Sequence, residues 1–329
     1  MRNTFVKKRR TRSSLETEIP HCLPTLGLIR KDGKGYSGKR MNCRICNSNN
    51  LKLGLDLGYQ PPSDEFVKEE DLKTLHTNYP LQLYYCRTCG LVQLGFTVPK
   101  ETLFNNDYPY ETGVNSQGIE HFRELANSVY SKFKPKHVID IGSNDGTLLK
   151  EFENLGCGVL GVEPVKSIAS KAKVKTLPLF WNPDLALNLR PSEVVTACNV
   201  FAHVSDLHNF LKGIDNVLTT NGVFIIEAPY LYDMFNGLAY DTIYHEHLCY
   251  LSPKPLQHLL DMHHMVIFDM HRLPDIHGGS MRYFIGRRGE YLQDKITQEN
   301  FTEMFLILDI FFKQSSQCFR DLDDLANRS

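Results

Sequence analysis

The chain alternates between short apolar runs and stretches of helical spacing. Residues 138–141 form an apolar run, Gly142 and Gly146 punctuate a turn, and 147–152 begins an amphipathic helix. A second run, 158–162, ends in Glu163. A third, 193–200, leads into Asn199-Val-Phe-Ala-His203. Residues 207–218 carry apolar positions at helical spacing. Asn221-Gly222 reads as a turn before a fifth run at 223–228. Runs at 266–270 and 281–285 read as a closing antiparallel pair. Upstream, 81–85 and 91–94 flank a cysteine pair and predict a hairpin. Strands alternating with helices predict an α/β fold with a doubly wound sheet, mostly parallel, its last strand antiparallel. A small β-rich domain would precede it.

At 329 residues, with 42% hydrophobic and 23% charged residues, the chain has material for about two domains of ordinary soluble composition. No apolar run approaches the roughly 20 residues of a membrane span, and no apolar segment follows the first basic residues as in a secretory signal. A cytoplasmic protein without a membrane partner is expected. The net charge of -1 hides an asymmetry, since residues 1–40 hold eleven basic and three acidic side chains, a net +8. This segment has no hydrophobic period and reads as a disordered basic arm, either a solvated tail or an anion-binding or targeting element through 7–10. The acidic remainder argues against a general nucleic-acid binder.

Nine cysteines without a signal peptide do not suggest a disulfide framework. Four of them form two CxxC pairs, Cys43-Arg-Ile-Cys46 and Cys86-Arg-Thr-Cys89. Two such knuckles bring four thiolates to one tetrahedral ion, so a zinc site is expected over incidental or redox pairs. With all four positions filled by protein, the zinc would be structural, in a domain over 41–100.

The turn after the first sheet strand reads Asp140-x-Gly142-x-x-x-Gly146 rather than GxGxxG. It lacks the form that cradles a pyrophosphate, and it suits the methionyl end of S-adenosylmethionine. Glu163, 21 residues after Gly142, stands where a carboxylate can accept both ribose hydroxyls of an adenosine. Asp140, Gly142, Asn144, Gly146, Glu163 and Asn199 are the expected cofactor residues of a domain over 101–290. An ordinary Asp-rich loop is the competing reading of the turn taken alone. His203, Glu227 and Tyr230 lie near the carboxyl ends of strands, where ligands of such sheets bind.

Residues 230–250 concentrate groups that move protons, above all Tyr244-His-Glu-His247. Methylation at carbon needs a base and a donor for the developing oxyanion, and His247 with tyrosine hydroxyls would meet that need. A packed lid over the cofactor fits the same residues equally well. A zincin-type metal site does not, because the i, i+4 histidine pair is missing.

Four blocks together resemble the zinc-domain sugar C-methyltransferases of deoxysugar biosynthesis. They are the paired knuckles, Tyr108-Pro-Tyr110 with His121-Phe122, the cofactor motif over 138–149, and Tyr244-His-Glu-His247 with His277-Gly-Gly-Ser280. The resemblance covers about 41–290. It implies a class I methyltransferase-type fold and methyl transfer to a carbon beside the ketone of a nucleotide-linked keto-deoxysugar. It makes His247 the general base and gives Glu246 the role of orienting it or contacting substrate. Tyr244, His203 and a tyrosine of 108–110, Tyr108 or Tyr110, would line the reacting face, and Gly278 and Gly279 would shape its wall. His245 receives no role, because the family varies there. The family's third, C-terminal α/β domain would be missing, with a helix over about 298–326 opening a truncated domain at 291–329. An RNA- or protein-directed methyltransferase, and a relative impaired by truncation, are the alternatives.

Overall fold

A computed structural model describes residues 41–292, apart from 65, 67–68, 70–72, 74–76, 106–107 and 115. The basic arm and the C-terminal helix expected from sequence lie outside the described residues.

In chain order the strands are β1 (Leu51–Gln60), β2 (Tyr79–Cys86), β3 (Val92–Leu94), β4 (His137–Ile141), β5 (Gly158–Val162) and β6 (Thr176–Leu177). They continue as β7 (Ser192–Cys198), β8 (Leu218–Pro229), β9 (Cys249–Tyr250), β10 (Met265–Leu273) and β11 (Ser280–Arg287). The larger sheet has the order β10-β11-β8-β7-β4-β5-β6. Neighbours from β8 to β6 pair in parallel, and β11 alone runs against both β8 and β10. The reversed strand is thus the last among the described residues, inserted between β10 and β8.

Residues alternate between two cores. Ile139, Ile141, Val195, Phe224 and Ile226 pack on one side with the helices Leu207–Val217 and Pro253–Asp261. Val138, Val194, Val223 and Ile225 pack on the other with Ser116–Phe133 and Thr147–Asn154. Burial on both faces is why these strands read as continuous apolar runs. One expected boundary differs. Asn221-Gly222 does not separate β8 from the preceding helix, because pairing with β7 starts at Leu218 opposite Ser192, and the strand runs through both residues, which lie within the register shift before Val223 pairs with Val194.

The smaller sheet is antiparallel, in the order β1-β2-β3-β9. The expected hairpin is present, with Leu83 opposite Leu94 and Tyr85 opposite Val92. The second knuckle forms its turn, closed by Gly90 N–H to the Cys86 carbonyl at 2.9 Å, with Gly90 at φ +88°. The fourth strand, β9, comes from beyond β8, so a segment that follows the parallel strands of the larger sheet completes the sheet carrying the second cysteine knuckle. A second tie is His208, whose Nε2–H donates to the Ile45 carbonyl at 2.7 Å, inside the first knuckle. Its Nδ1 lies 2.9 Å from His263 Nε2. No helix among the described residues is long and apolar enough to cross a membrane.

Candidate active site and zinc centre

The four knuckle sulfurs lie within 4.8 Å of one another, three of the residues buried and Cys46 half-buried. Cys43 and Cys89 sulfurs are 3.5 Å apart, as are Cys46 and Cys86. A tetrahedron of zinc–sulfur bonds has edges of about 3.8 Å, so these sulfurs fit one zinc with little movement. Backbone holds the first knuckle, through Asn47 N–H to the Cys43 carbonyl and Cys43 N–H to the Ser48 carbonyl.

A cavity of about 1150 Å³ opens at the carboxyl ends of β4, β5 and β7. One end is built from the cofactor motif. Gly142 sits at φ +67°, and a Cβ there would come within 2.3 Å of Val200. Only glycine fits that turn. Asp140 lines the cavity and accepts from the Thr196 hydroxyl at 2.6 Å. Burial pushes its carboxyl up to about 7 against that hydrogen bond, with Glu163 adding repulsion. Glu163 is buried, and its oxygens accept from Asn144 N–H at 3.0 Å and Val165 N–H at 2.9 Å. Burial still raises its carboxyl, against both bonds. Each oxygen keeps a lone pair for a further donor. Asn199 lines the cavity at φ +56°. The buried Ser143 hydroxyl has no partner.

Two cofactor expectations change. Gly146 does not line the cavity. It sits at φ +78° before the helix Thr147–Asn154, and a Cβ would meet Val174 at 2.8 Å, so its glycine serves helix packing. Asn144 does line the cavity, yet its amide is taken up by protein. Oδ1 accepts from Thr112 N–H and Asp145 N–H, both at 2.9 Å, and Nδ2 donates to the Tyr110 carbonyl at 3.0 Å. It clamps the 110–114 segment over the turn.

The other end gathers Tyr108, Tyr110, His203, Tyr244, Glu246 and His247 around one space. His247 is buried. Its Nδ1 lies 2.8 Å from the Thr242 carbonyl, which can only accept, so Nδ1 carries the proton. Nε2 is then the free base and accepts from the Tyr244 hydroxyl at 2.8 Å. The orienting partner is a backbone carbonyl, not Glu246. Burial lowers the His247 imidazolium to about 4, with His277 adding to the effect. His203 stacks on Phe104 with centroids 5.8 Å apart and lies 5.1 Å from His247. Its Nε2 is buried without a partner, and burial holds the ring neutral.

Burial, then the charge of Glu246, raises both Tyr108 and Tyr244, so both keep their hydroxyl protons. Glu246 itself is pushed up to about 8, first by burial and then by Asp64, while the Tyr108 hydroxyl pulls the other way. Tyr110 is 51% exposed at the rim. His245 points elsewhere, to the Tyr79 carbonyl at 3.2 Å and a separate cavity of about 520 Å³.

Other residues depart from expectation. Glu227 does not line the cavity. It is locked between His121 Nε2 at 2.6 Å and Arg282 Nε at 2.9 Å, which hold its carboxyl below the usual range although burial acts to raise it. Tyr230 is also outside the lining, as are Gly278 and Gly279. A Cβ on Gly279 would strike Asp233 at 2.3 Å, so that glycine serves strand packing, and His277 alone of its segment reaches the cavity. Sequence reading missed Asp64, Ser143, Thr196 and Thr242. Only Thr196 carried a signal, as a polar residue within an apolar strand.

Two family models match the chain, one described as a zinc binding domain over 43–104 and one as a methyltransferase domain over 117–263. The chain is 29% identical over 252 residues to the C-methyltransferase NovU of Streptomyces niveus, covering 74% of this chain and 60% of that protein. It thus spans less than two thirds of that relative's length. It is 28% identical over 96 residues to a ubiquinone biosynthesis O-methyltransferase of Rhodopseudomonas palustris, covering 27% of this chain and 38% of that protein. A solved S-adenosylmethionine-dependent methyltransferase from Clostridium acetobutylicum superimposes with TM-score 0.42 at 13% identity, over 52% of this chain and 92% of that one.

Proposed function

Since the chain joins a zinc binding domain to a methyltransferase domain, we propose that it is an S-adenosylmethionine-dependent C-methyltransferase acting on a nucleotide-linked keto-deoxysugar through an enolate. The observation that carries this reading is the state of His247. It is a neutral imidazole with Nδ1 anchored and the Nε2 lone pair facing the cavity that the cofactor turn shares. Methylation at oxygen or nitrogen often needs only positioning, whereas abstraction of a carbon-bound proton always requires a base. The similarity to NovU, a C-methyltransferase, supports the same choice.

S-adenosylmethionine supplies an electrophilic methyl group when bound. Asp140, Gly142, Ser143, Glu163 and Asn199 would hold it, with the open lone pairs of Glu163 suited to ribose hydroxyls. His247 Nε2 takes the proton from the carbon beside the ketone, and the Tyr244 hydroxyl turns from Nε2 toward the oxygen. Tyr108, Tyr244 and Glu246, all protonated at neutral pH, are the donors for the growing oxyanion. Once the new carbon–carbon bond forms and the ketone returns, the imidazolium releases its proton to water.

The test is exchange in heavy water with a panel of nucleotide-linked keto-deoxysugars. We expect deuterium to enter beside the ketone with wild type and not with His247→Ala. With S-adenosylmethionine added, the methyl group should arrive at the same carbon. Methylation that survives His247→Ala, or methylation of RNA or protein without sugar exchange, would overturn the proposal.

A further inference from the structure

Two carboxyl groups meet at the acceptor end of the cavity, and they come from different modules. Asp64 stands in the loop after β1, just past Pro61-Pro62, and lines the cavity. Its side chain is within hydrogen-bonding reach of Glu246. Glu246 is 3% exposed, and its Oε1 has no partner. Two ionised carboxylates in contact, shielded from water, repel strongly, and one proton between them turns repulsion into a strong hydrogen bond.

The surroundings do not offer positive charge instead. The groups acting on Glu246 are Asp64 and the hydroxyls of Tyr108 and Tyr244. His203, His247 and His277 line the same cavity, and burial favours the neutral form of each. Lys100 also lines it but sits over the Phe180 ring, 4.1 Å from its centroid. Among the described residues no lysine or arginine is paired with Glu246.

We infer that Asp64 is a positioning residue, which shares one proton with Glu246 and so keeps Glu246 available as an acid that donates to the acceptor's ketone oxygen. This use of the proton rests on the enolate reading above, but the pair itself does not. In turnover the carbon-bound proton moves to His247 while the pair's proton forms a hydrogen bond to the oxyanion. It returns to the pair when the ketone re-forms, so the pair is unchanged at the end. The zinc module would then supply a side chain to the acid half of the chemistry, beyond framing the cavity.

Infrared difference spectroscopy of the full-length, zinc-loaded protein without substrate reads the pair directly. Subtracting Glu246→Gln from wild type at pH 7 should leave the carbonyl band of a protonated carboxyl. That band should fade on titration through about pH 8. In Asp64→Asn the Glu246 band should fade at a pH at least about one unit lower, because a like charge has gone. Asp64→Glu, which keeps a carboxyl, should restore it. Zinc content and thermal unfolding accompany each variant. The inference fails if the wild-type difference holds no protonated-carboxyl band at pH 7. It also fails if Asp64→Asn retains its zinc and titrates like wild type. Should Asp64→Asn not fold, the wild-type and Glu246→Gln pair still decides whether the proton is there. Because no acceptor is present, a wrong assignment of the sugar leaves these outcomes untouched.

Discussion

The two ends of the cavity are built in opposite ways. At the cofactor end, carboxylate and amide groups are tied down by nearby backbone and by the Thr196 hydroxyl. Glu163 accepts from Asn144 and Val165, Asp140 from Thr196, and Asn144 clamps Thr112. At the acceptor end, Asp64, Tyr108, His203 and the group Tyr244, Glu246 and His247 converge from four separate stretches of chain, and two of their polar atoms, Glu246 Oε1 and His203 Nε2, are buried without a partner. Unmet hydrogen-bonding capacity costs stability and persists where a ligand is to meet it. The first end is a largely preformed cradle, with the buried Ser143 hydroxyl left without a partner. The second holds buried groups poised to pair with something that arrives.

Breaking the zinc centre should separate the ends most sharply. The acceptor end depends on β9 pairing with β3 and on Asp64, whereas the cofactor turn rests on the larger sheet. Cys86→Ser, or chelation of the zinc, should abolish methyl transfer and lower stability by several kcal/mol. Cofactor affinity by calorimetry should fall far less than activity. Equal loss of both would show that the ends are not independent.

His247→Ala comes next. It should reduce turnover by about 10²–10⁴-fold, the usual worth of a positioned base. The dissociation constant of S-adenosylmethionine should stay within a factor of about two, since none of the cofactor-motif residues touches this ring.

The same contrast governs what was legible in the sequence. The cofactor motif is local, so 138–149 with Glu163 revealed the fold, its turn and the strand after it. The knuckles are local too, each spanning four residues. Asp64 could not be joined to Glu246 by spacing, because their meeting depends on β9 crossing into the other sheet. Glycine roles were misread for a related reason. Gly146 and Gly279 carry the positive φ that a ligand-approach argument asks for, but the neighbours they admit are Val174 and Asp233 rather than a ligand, while Gly278, also at positive φ, faces open space. The resemblance offered Glu246 as an orienting partner of His247 or a substrate contact, and these two adjacent residues point their side chains at different partners, Asp64 and Thr242.

The acceptor end should also leave a signature in stability against pH. Glu246 titrates at about 8 in the fold against an ordinary 4.5, so the folded state keeps a proton that the unfolded chain has lost. Stability is therefore lost as pH rises from 4.5 through 8. His247 has the opposite sign, about 4 in the fold against 6.5, so its contribution is lost as pH falls from 6.5 through 4. Glu246→Gln should gain roughly 1–3 kcal/mol at pH 9 and almost nothing at pH 4, measured by urea denaturation. A gain that is constant with pH would mean that the glutamate titrates alike in the folded and unfolded chain.

At the cofactor end the smallest effect is expected from Glu163→Gln. The amide keeps one acceptor oxygen, but its NH2 group must face one of the two backbone N–H donors that the carboxylate now satisfies. It also offers ribose hydroxyls one acceptor fewer. Cofactor affinity should weaken by about 5–20-fold, near 1–2 kcal/mol. Turnover at saturating S-adenosylmethionine should change by less than about threefold, and His247-dependent exchange at the sugar carbon should be unaffected when no cofactor is present. Exchange without cofactor is the decisive arm. If it falls with Glu163→Gln, the cradle and the acid–base cluster are mechanically coupled through the 110–114 segment that Asn144 clamps, and the two ends act as a single unit.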